Sequence, residues 1–345
     1  MRILAIETSC DETAMAVVDA KGGLKNPRFK VLKSDVSSQI ELHRPFGGVV
    51  PGLAKREHIK NLPLIEEGLG IEWGKIDAIA VTVGPGLEPA LWTGIEYAKK
   101  LAKEHRKPLL GANHLEGHLM SPLLSLKEKD KNIALPAIGL VVSGGHTILL
   151  ALEKIDKWKK IGETCDDAVG EAFDKVGRLL GLPYPGGPEI QREAEKGNAC
   201  IELPKPMLDR KNYDFSFSGL KTAVMYYLKG KKVTPKLRAD MSASFQNTAI
   251  EILTTKTMRA VWQYMAKSVI LAGGVASNKP LREEMKRVVK KEGLDLYVSE
   301  LRYSTDNAGM IAVAAYLNHE STRGRSASGG KGKKYRITAQ ANLNL

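Results

Sequence analysis

The chain has 345 residues, 43% hydrophobic and 26% charged, enough for one large or two medium domains with filled cores and too apolar for a disordered chain. No run approaches the ~18 to 20 uncharged apolar residues of a membrane span, and Met1 to Glu7 reaches an acid too soon for a secretory leader, so a cytoplasmic protein without a membrane partner is expected. The net charge of +13 exceeds what solubility needs and points to a polyanion such as RNA, while three scattered cysteines (Cys10, Cys165, Cys200) exclude a disulfide framework and a zinc ribbon.

In chain order, Arg2 to Thr8 and Ala14 to Asp19 read as two strands around the polar bend Thr8-Ser-Cys-Asp-Glu-Thr13, where a ligand group would sit. A helix is expected over His58 to Gly68. Ile76 to Val83 is a continuous apolar run typical of a strand buried on both faces; Gly84-Pro-Gly86 and a helix over Leu91 to Ala102 follow it. The same order of strand, glycine loop and helix returns at Ala137 to Val142 with Ser143-Gly-Gly-His-Thr147, and at Ser268 to Leu271 with Gly273-Gly-Val-Ala-Ser-Asn278 before Leu281 to Lys291. Further helices are expected over Asp167 to Leu180, Pro188 to Gly197, Met241 to Ala266 and Asn307 to Asn318, with any of Ser304, Thr305 and Asp306 as the last one's N-cap. The linker candidates are Lys127 to Asn132 and Pro204 to Asp214. No repeat of 20 to 50 residues is visible. From His319 onward the chain reads as a basic, flexible tail: Arg323, Arg325, Lys331, Lys333, Lys334 and Arg336 face only Glu320.

Glycine loops at strand ends define an α/β fold whose ligand lies beyond the strand tips. Glycine pairs at 144–145 and 273–274 admit an anion or serve as tight turns. His114-Leu-Glu-Gly-His118 stacks two imidazoles one helical turn apart, as a metal site or as ordinary core histidines. Asp306 is either a cap or a third, oxygen ligand, and Asp174 either meets a ribose or substrate hydroxyl or lies on a solvated helix face. A zinc peptidase carries Glu directly after its first His; here that position is Leu115, and Glu116 sits about 200° around the helix from His114, facing away from any shared metal.

Ile6-Glu-Thr-Ser-Cys-Asp-Glu-Thr13, His114 to His118, Val142 to Thr147, Gly170-Glu-Ala-Phe-Asp-Lys175, Tyr184-Pro-Gly-Gly-Pro188, Phe215-Ser-Phe-Ser-Gly-Leu-Lys221 and Gly273 to Asn278 closely resemble the TsaD/Kae/Qri family, in the family's order, from residue 1 to about 318. These are tRNA N6-adenosine threonylcarbamoyltransferases, formerly called O-sialoglycoprotein endopeptidases; the Ser-Gly-Gly-His-Thr form and Val142 resemble the bacterial and organellar branch. The resemblance implies a two-lobed actin-like, Hsp70-like ATPase fold with an interlobe ligand cleft: residues 1–110, completed by helix 307–318, in one lobe, residues 111–306 in the other, and 319–345 as the tail. It implies transfer of the threonylcarbamoyl group of threonylcarbamoyl-AMP to N6 of adenosine 37 in tRNAs reading codons that begin with A, releasing AMP. By position, His114, His118 and Asp306 would hold one iron or zinc ion. Val141, Val142, Ser143, Gly144, Gly145, Asp174, Gly187 and Asn278 would contact the adenylate, with ATP or ADP as other occupants. Gln191 stands where many relatives have an acid, so its ribose contact would be neutral, and Glu12 matches an acidic position tied to activity. The implied partners are tRNA, helpers TsaB and TsaE, and a TsaC/Sua-type synthase supplying the adenylate.

Direct attack of N6 on the carbamoyl carbonyl needs alignment, oxyanion stabilisation and a good leaving group, not a covalent nucleophile, so Cys10 is left without a catalytic role. Competing readings are a small-molecule kinase of the same fold, which has no use for the histidine pair, and a noncatalytic nucleotide-binding scaffold of a tRNA-modifying assembly, which leaves His114, His118 and Asp306 unexplained.

Overall fold

The computed structural model describes residues 1–325 and 335–345. In chain order its elements are β1 (Arg2–Glu7), β2 (Glu12–Lys21), β3 (Arg28–Ser38), α1 (Ile40–His43), α2 (Pro51–Leu69), β4 (Ala78–Gly84), α3 (Glu88–Glu104), β5 (Leu109–Asn113), α4 (His114–Met120), β6 (Ala137–Val142), β7 (Thr147–Lys154), β8 (Lys157–Glu163), α5 (Val169–Leu179), α6 (Gly186–Ala194), α7 (Ser218–Leu228), α8 (Pro235–Gln263), β9 (Ser268–Ala272), α9 (Lys279–Lys291), β10 (Asp295–Val298) and α10 (Ala308–Arg325). Among the described residues no helix is long and apolar enough to cross a membrane.

The chain divides into two compact units, Met1–Asn132 with Ser299–Leu345, and Ile133–Val298. The first holds a sheet ordered β3-β2-β1-β4-β5 and the second one ordered β10-β9-β6-β7-β8. In each, two antiparallel pairings of consecutive strands precede two parallel pairings. The units therefore repeat one topology, a duplication of pairing that leaves no short-period repeat in the sequence. Parallel neighbours need a crossover, supplied by α2 and α3 in the first unit and by α9 between β9 and β10 in the second. Strands β4, β6 and β9 are buried along their whole length, as strands covered on both faces must be. Leu4, Ile6, Leu62, Val81 and Ile95 are packed in the first core. Leu140, Phe173, Phe215, Phe245 and Leu271 are packed in the second.

The structure differs from expectation at both ends of the first unit. Residues 111–132 and 299–306 belong to it rather than to the second, because α10 lies against α4 so closely that a Cβ on Gly117 would meet Met310 Cγ at 3.1 Å. Nor does a tail begin at residue 319. Helix α10 continues to Arg325, and residues 335–345 lie along β4 and β5: Gln340 N donates to Val83 O (2.8 Å) and Gly86 N to Ala341 O (3.2 Å). Gly84, at φ +151°, is the residue that admits this strap, since a Cβ there would stand 2.0 Å from Gln340 O. Of the expected tail's basic residues, Lys331, Lys333 and Lys334 lie outside the described residues.

Candidate active site

Asn113, last residue of β5, caps α4 by accepting from Leu115 N (2.8 Å) and Glu116 N (3.3 Å), which starts the helix so that His114 and His118 share one face. Their rings lie edge to face, 4.6 Å between centroids. Asp306 meets them from the turn before α10: its Oδ1 is 3.0 Å from His118 Nε2 and 3.6 Å from His114 Nε2. None of Ser304, Thr305 or Asp306 caps α10; Asn307 does, accepting from Met310 N at 3.0 Å.

Among the described residues these three bring their ligand atoms within 4.8 Å of one another. The fit to a metal is tested by His118. Its ring is fully buried, and neither nitrogen has a hydrogen bond, although Nε2 is close to Asp306 Oδ1. A buried imidazole pointed at a carboxylate without the alignment of a hydrogen bond is what two lone pairs aimed at a common cation look like. His114 is oriented from behind: its Nδ1 lies 3.1 Å from Glu7 Oε2 and 3.0 Å from Ser9 Oγ, which leaves Nε2 as the ligand. Glu7 accepts in turn from Thr82 Oγ1 (2.7 Å) and Ser9 N (2.5 Å). Burial opposes both charges of this pair, but mutual attraction wins: Glu7 is held below its ordinary value, and His114, facing Asp306 and Glu7, is raised to about 9. The set fits a single metal site.

Glu116 does point away, accepting from Asn318 Nδ2 (2.6 Å) and Tyr335 Oη (2.5 Å). Glu12, first residue of β2, accepts from Ser38 Oγ at 3.4 Å, and burial, then Asp306 and Asp11, push its pKa well above its ordinary value. The Cys10 thiol is pushed up likewise, by burial and then Asp11 and Asp306, which disfavours a thiolate. Glu7 and Ser9 lie within the Ile6 to Thr13 motif but carry no role readable from it, and Asn113 and Asn307 lie outside the motifs. A glutamate closing an apolar strand and an asparagine immediately before a histidine helix are the signals that mark two of them.

The remaining candidates lie in the second unit, on α5 and α6 and at or beyond the ends of β6 and β9, two strands that pair in parallel with Val141 opposite Ala272. Val141 and Val142 end β6 as buried strand residues. The turn at Ser143 is tied to α5 by Gly170 N donating to Ser143 O (3.3 Å). Asp174 accepts from Gly186 N at 2.7 Å and so joins α5 to the start of α6, and Lys175 binds Asp167 and Glu171. Asn278 caps α9 through Leu281 N (3.0 Å) and donates to Gln246 Oε1 (2.8 Å), while Gln191 Oε1 accepts from Lys279 N (3.0 Å). At Gly144, Gly145, Gly187 and Gly274 an added Cβ would meet nothing within 4 Å.

A twice-repeated sheet topology and a buried His-His-Asp group define an actin-like α/β protein equipped to hold one metal ion. The profile of the TsaD family, tRNA N6-adenosine threonylcarbamoyltransferase, matches residues 30–313. The tRNA N6-adenosine threonylcarbamoyltransferase of Thermosipho melanesiensis is 46% identical over 350 residues, covering 100% of both chains, and that of Bacillus subtilis is 48% identical over 330 residues, covering 93% of this chain and 91% of its own. The chain belongs to the TsaD family. Among solved structures, HypF of T. kodakarensis superposes with a TM-score of 0.61 at 15% identity, over 94% of this chain and 48% of HypF. A second, full-length HypF gives 0.57 over 93% and 55%. The chain thus spans about half the length of these structural neighbours, and the likeness is one of fold.

Proposed function

We infer that the protein transfers the threonylcarbamoyl group of threonylcarbamoyl-AMP to N6 of adenosine 37 in tRNAs reading codons that begin with A. The observation that carries this reading is the His114-His118-Asp306 group in a chain of the TsaD family. Two imidazoles and one carboxylate suit iron or zinc. When bound, such an ion supplies orientation and polarisation of the threonylcarbamoyl group. Glu7 and Ser9 keep His114 in the ligating tautomer, and Asn113 and Asn307 set the two helix starts from which the ligands project.

The reading assigns the adenylate to Val141 through Gly145, Asp174, Gly187 and Asn278, with ATP or ADP as other occupants of the same residues and Gln191 as a neutral neighbour. Glycines 144, 145, 187 and 274 support it, since protein packing does not demand glycine there and open backbone lets a nucleotide approach. In the transfer, N6 forms a bond to the carbamoyl carbon, the bond from that carbon to the phosphate oxygen breaks, and AMP departs. Glu12, which matches an acidic position tied to activity in the family, is the group assigned to take the N6 proton. The reaction belongs in the cytoplasm, with TsaB and TsaE as helpers and a TsaC/Sua-type synthase supplying the adenylate.

The test is incubation with threonylcarbamoyl-AMP and unmodified tRNA, with and without helpers, read out by nucleoside mass spectrometry. His114→Ala with His118→Ala is expected to abolish the modified nucleoside and the bound metal together. Full activity in this variant would remove the metal from the reaction.

A further inference from the structure

Helix α7 and the turn after it carry a surface that the proposed chemistry does not use. From Phe215 to Ala239 the chain has six lysines and arginines and no acidic residue, a local imbalance steeper than that of the whole chain. Leu220, Val224 and Leu228, at i, i+4 and i+8, are buried and hold α7 against the second core. The opposite face and the end of the helix present Met225, Tyr226 and Tyr227, with 43%, 65% and 37% of their surface exposed. Gly230, at φ +72°, reverses the chain, and Lys231 Nζ comes to 3.5 Å from the centre of the Tyr227 ring. Lys221 and Lys236 are tied to Asp167 and Asp240. Among the described residues Lys229, Lys231 and Lys232 enter no ion pair.

Two accessible aromatic rings framed by three unneutralised ammonium groups are poorly matched to a protein partner, whose interface core excludes lysine and would strip these charges of water without compensation. They match single-stranded nucleic acid, where bases stack on aromatic rings and phosphates neutralise lysines. The helix also connects this surface to the candidate adenylate residues. Its start is pinned to the loop before α5, where Phe217 N and Ser218 N donate to Asp166 Oδ1 (2.8 and 3.1 Å). That loop leads into Gly170, which bonds Ser143 O. From its start α7 reaches about 12 to 14 Å, at 1.5 Å per residue, to the tyrosines.

We propose that the end of α7, Met225 to Lys232, is a tRNA-binding platform on which Tyr226 and Tyr227 stack against unpaired loop bases while Lys229, Lys231 and Lys232 neutralise backbone phosphates. The proposal rests on tRNA being the substrate. Its test separates the two by measuring binding of unmodified tRNA to the full-length protein without the donor, across a salt series, and transfer activity in parallel. Replacing the three lysines by Glu is expected to lower the slope of log affinity against log salt by about 2 to 3, and Tyr226→Ala with Tyr227→Ala to weaken binding about tenfold or more. Both variants raise KM for tRNA more than they lower kcat, and Tyr226→Phe with Tyr227→Phe retains binding because the rings remain. A charge-matched control, Lys154→Glu, Lys157→Glu and Lys159→Glu on β7 and β8, leaves the affinity unchanged. Thermal unfolding verifies that each variant is folded. Unchanged tRNA affinity in the platform variants, or a wild-type protein that fails to retain tRNA at low salt, overturns the proposal. So does intact tRNA affinity with a loss of activity confined to assays containing helpers, which would make the surface a protein contact. Wild-type tRNA binding without transfer overturns the functional reading and leaves the platform standing.

Discussion

His118 and Lys256 are both fully buried polar side chains, and they answer burial differently. His118 stands 3.0 Å from Asp306 Oδ1, a pair suited to share a cation. Lys256, on α8, has among the described residues only Asn212 O at 3.1 Å and the Phe215 ring with its centre 6.0 Å away. Burial, then the charge of Arg259, brings its pKa down to about 8. In the unfolded chain it titrates near the ordinary 10.5, so between about 8 and 10.5 the unfolded state binds more protons and stability rises with pH. Below about 8 the cost of the buried ammonium is fully present. Lys256→Met removes that cost, and is expected to raise stability at pH 7 by about 1 kcal/mol and to flatten the rise. Urea unfolding at pH 7, 8.5 and 9.5 measures both; a wild-type stability that falls across this range would show that the ammonium is well solvated.

Among the elements, α4 shows how a seven-residue helix too short to stand alone is held. Asn113 caps its start, α10 packs on it at Gly117, and Glu116 is clamped by Asn318 of α10 and Tyr335 of the C-terminal strap. The strap thus reinforces the helix that carries both histidines. Tyr335→Phe keeps the ring and removes one donor from a carboxylate that is 2% exposed. The expected loss is about 1 to 3 kcal/mol in urea unfolding, with weaker metal retention in a chelator competition because α4 loosens. A variant as stable as the wild type would show that water replaces the hydroxyl. Helix α7 makes the complementary point: one face is core, and the other is a charged aromatic surface with no structural need for its composition.

At the scale of the molecule, the two units differ in how the chain builds them. The second is continuous, residues 133–298, with its own sheet and core. The first is closed by α10, whose Met310, Ile311 and Val313 are fully buried. Residues 133–298 expressed alone are therefore expected to unfold cooperatively in urea, and residues 1–132 alone are not; a cooperative transition in the latter, followed by circular dichroism, would show that α10 is dispensable to the first core.

The elements around the site were largely readable, and their limits were not. Hydrophobic runs located β1, β4, β6 and β9 because strands buried on both faces are continuously apolar, whereas β3 and β8, half exposed and lysine-rich, gave no such signal. The α10 cap was misplaced by one to three residues because four consecutive capping residues precede it and local preference does not rank them.

Motif spacing alone determined the histidine pair and the glycine loops, since those depend on helix periodicity and on turns that any chain makes locally, and the resemblance extended them to a family. Tertiary structure decided that Asp306, 188 residues beyond His118, meets it at 3.0 Å, that Glu7 stands behind His114, and that the last eleven described residues are a strap. Those facts depend on which surfaces α10 and the strap bury, and packing between distant segments leaves no local pattern in the sequence.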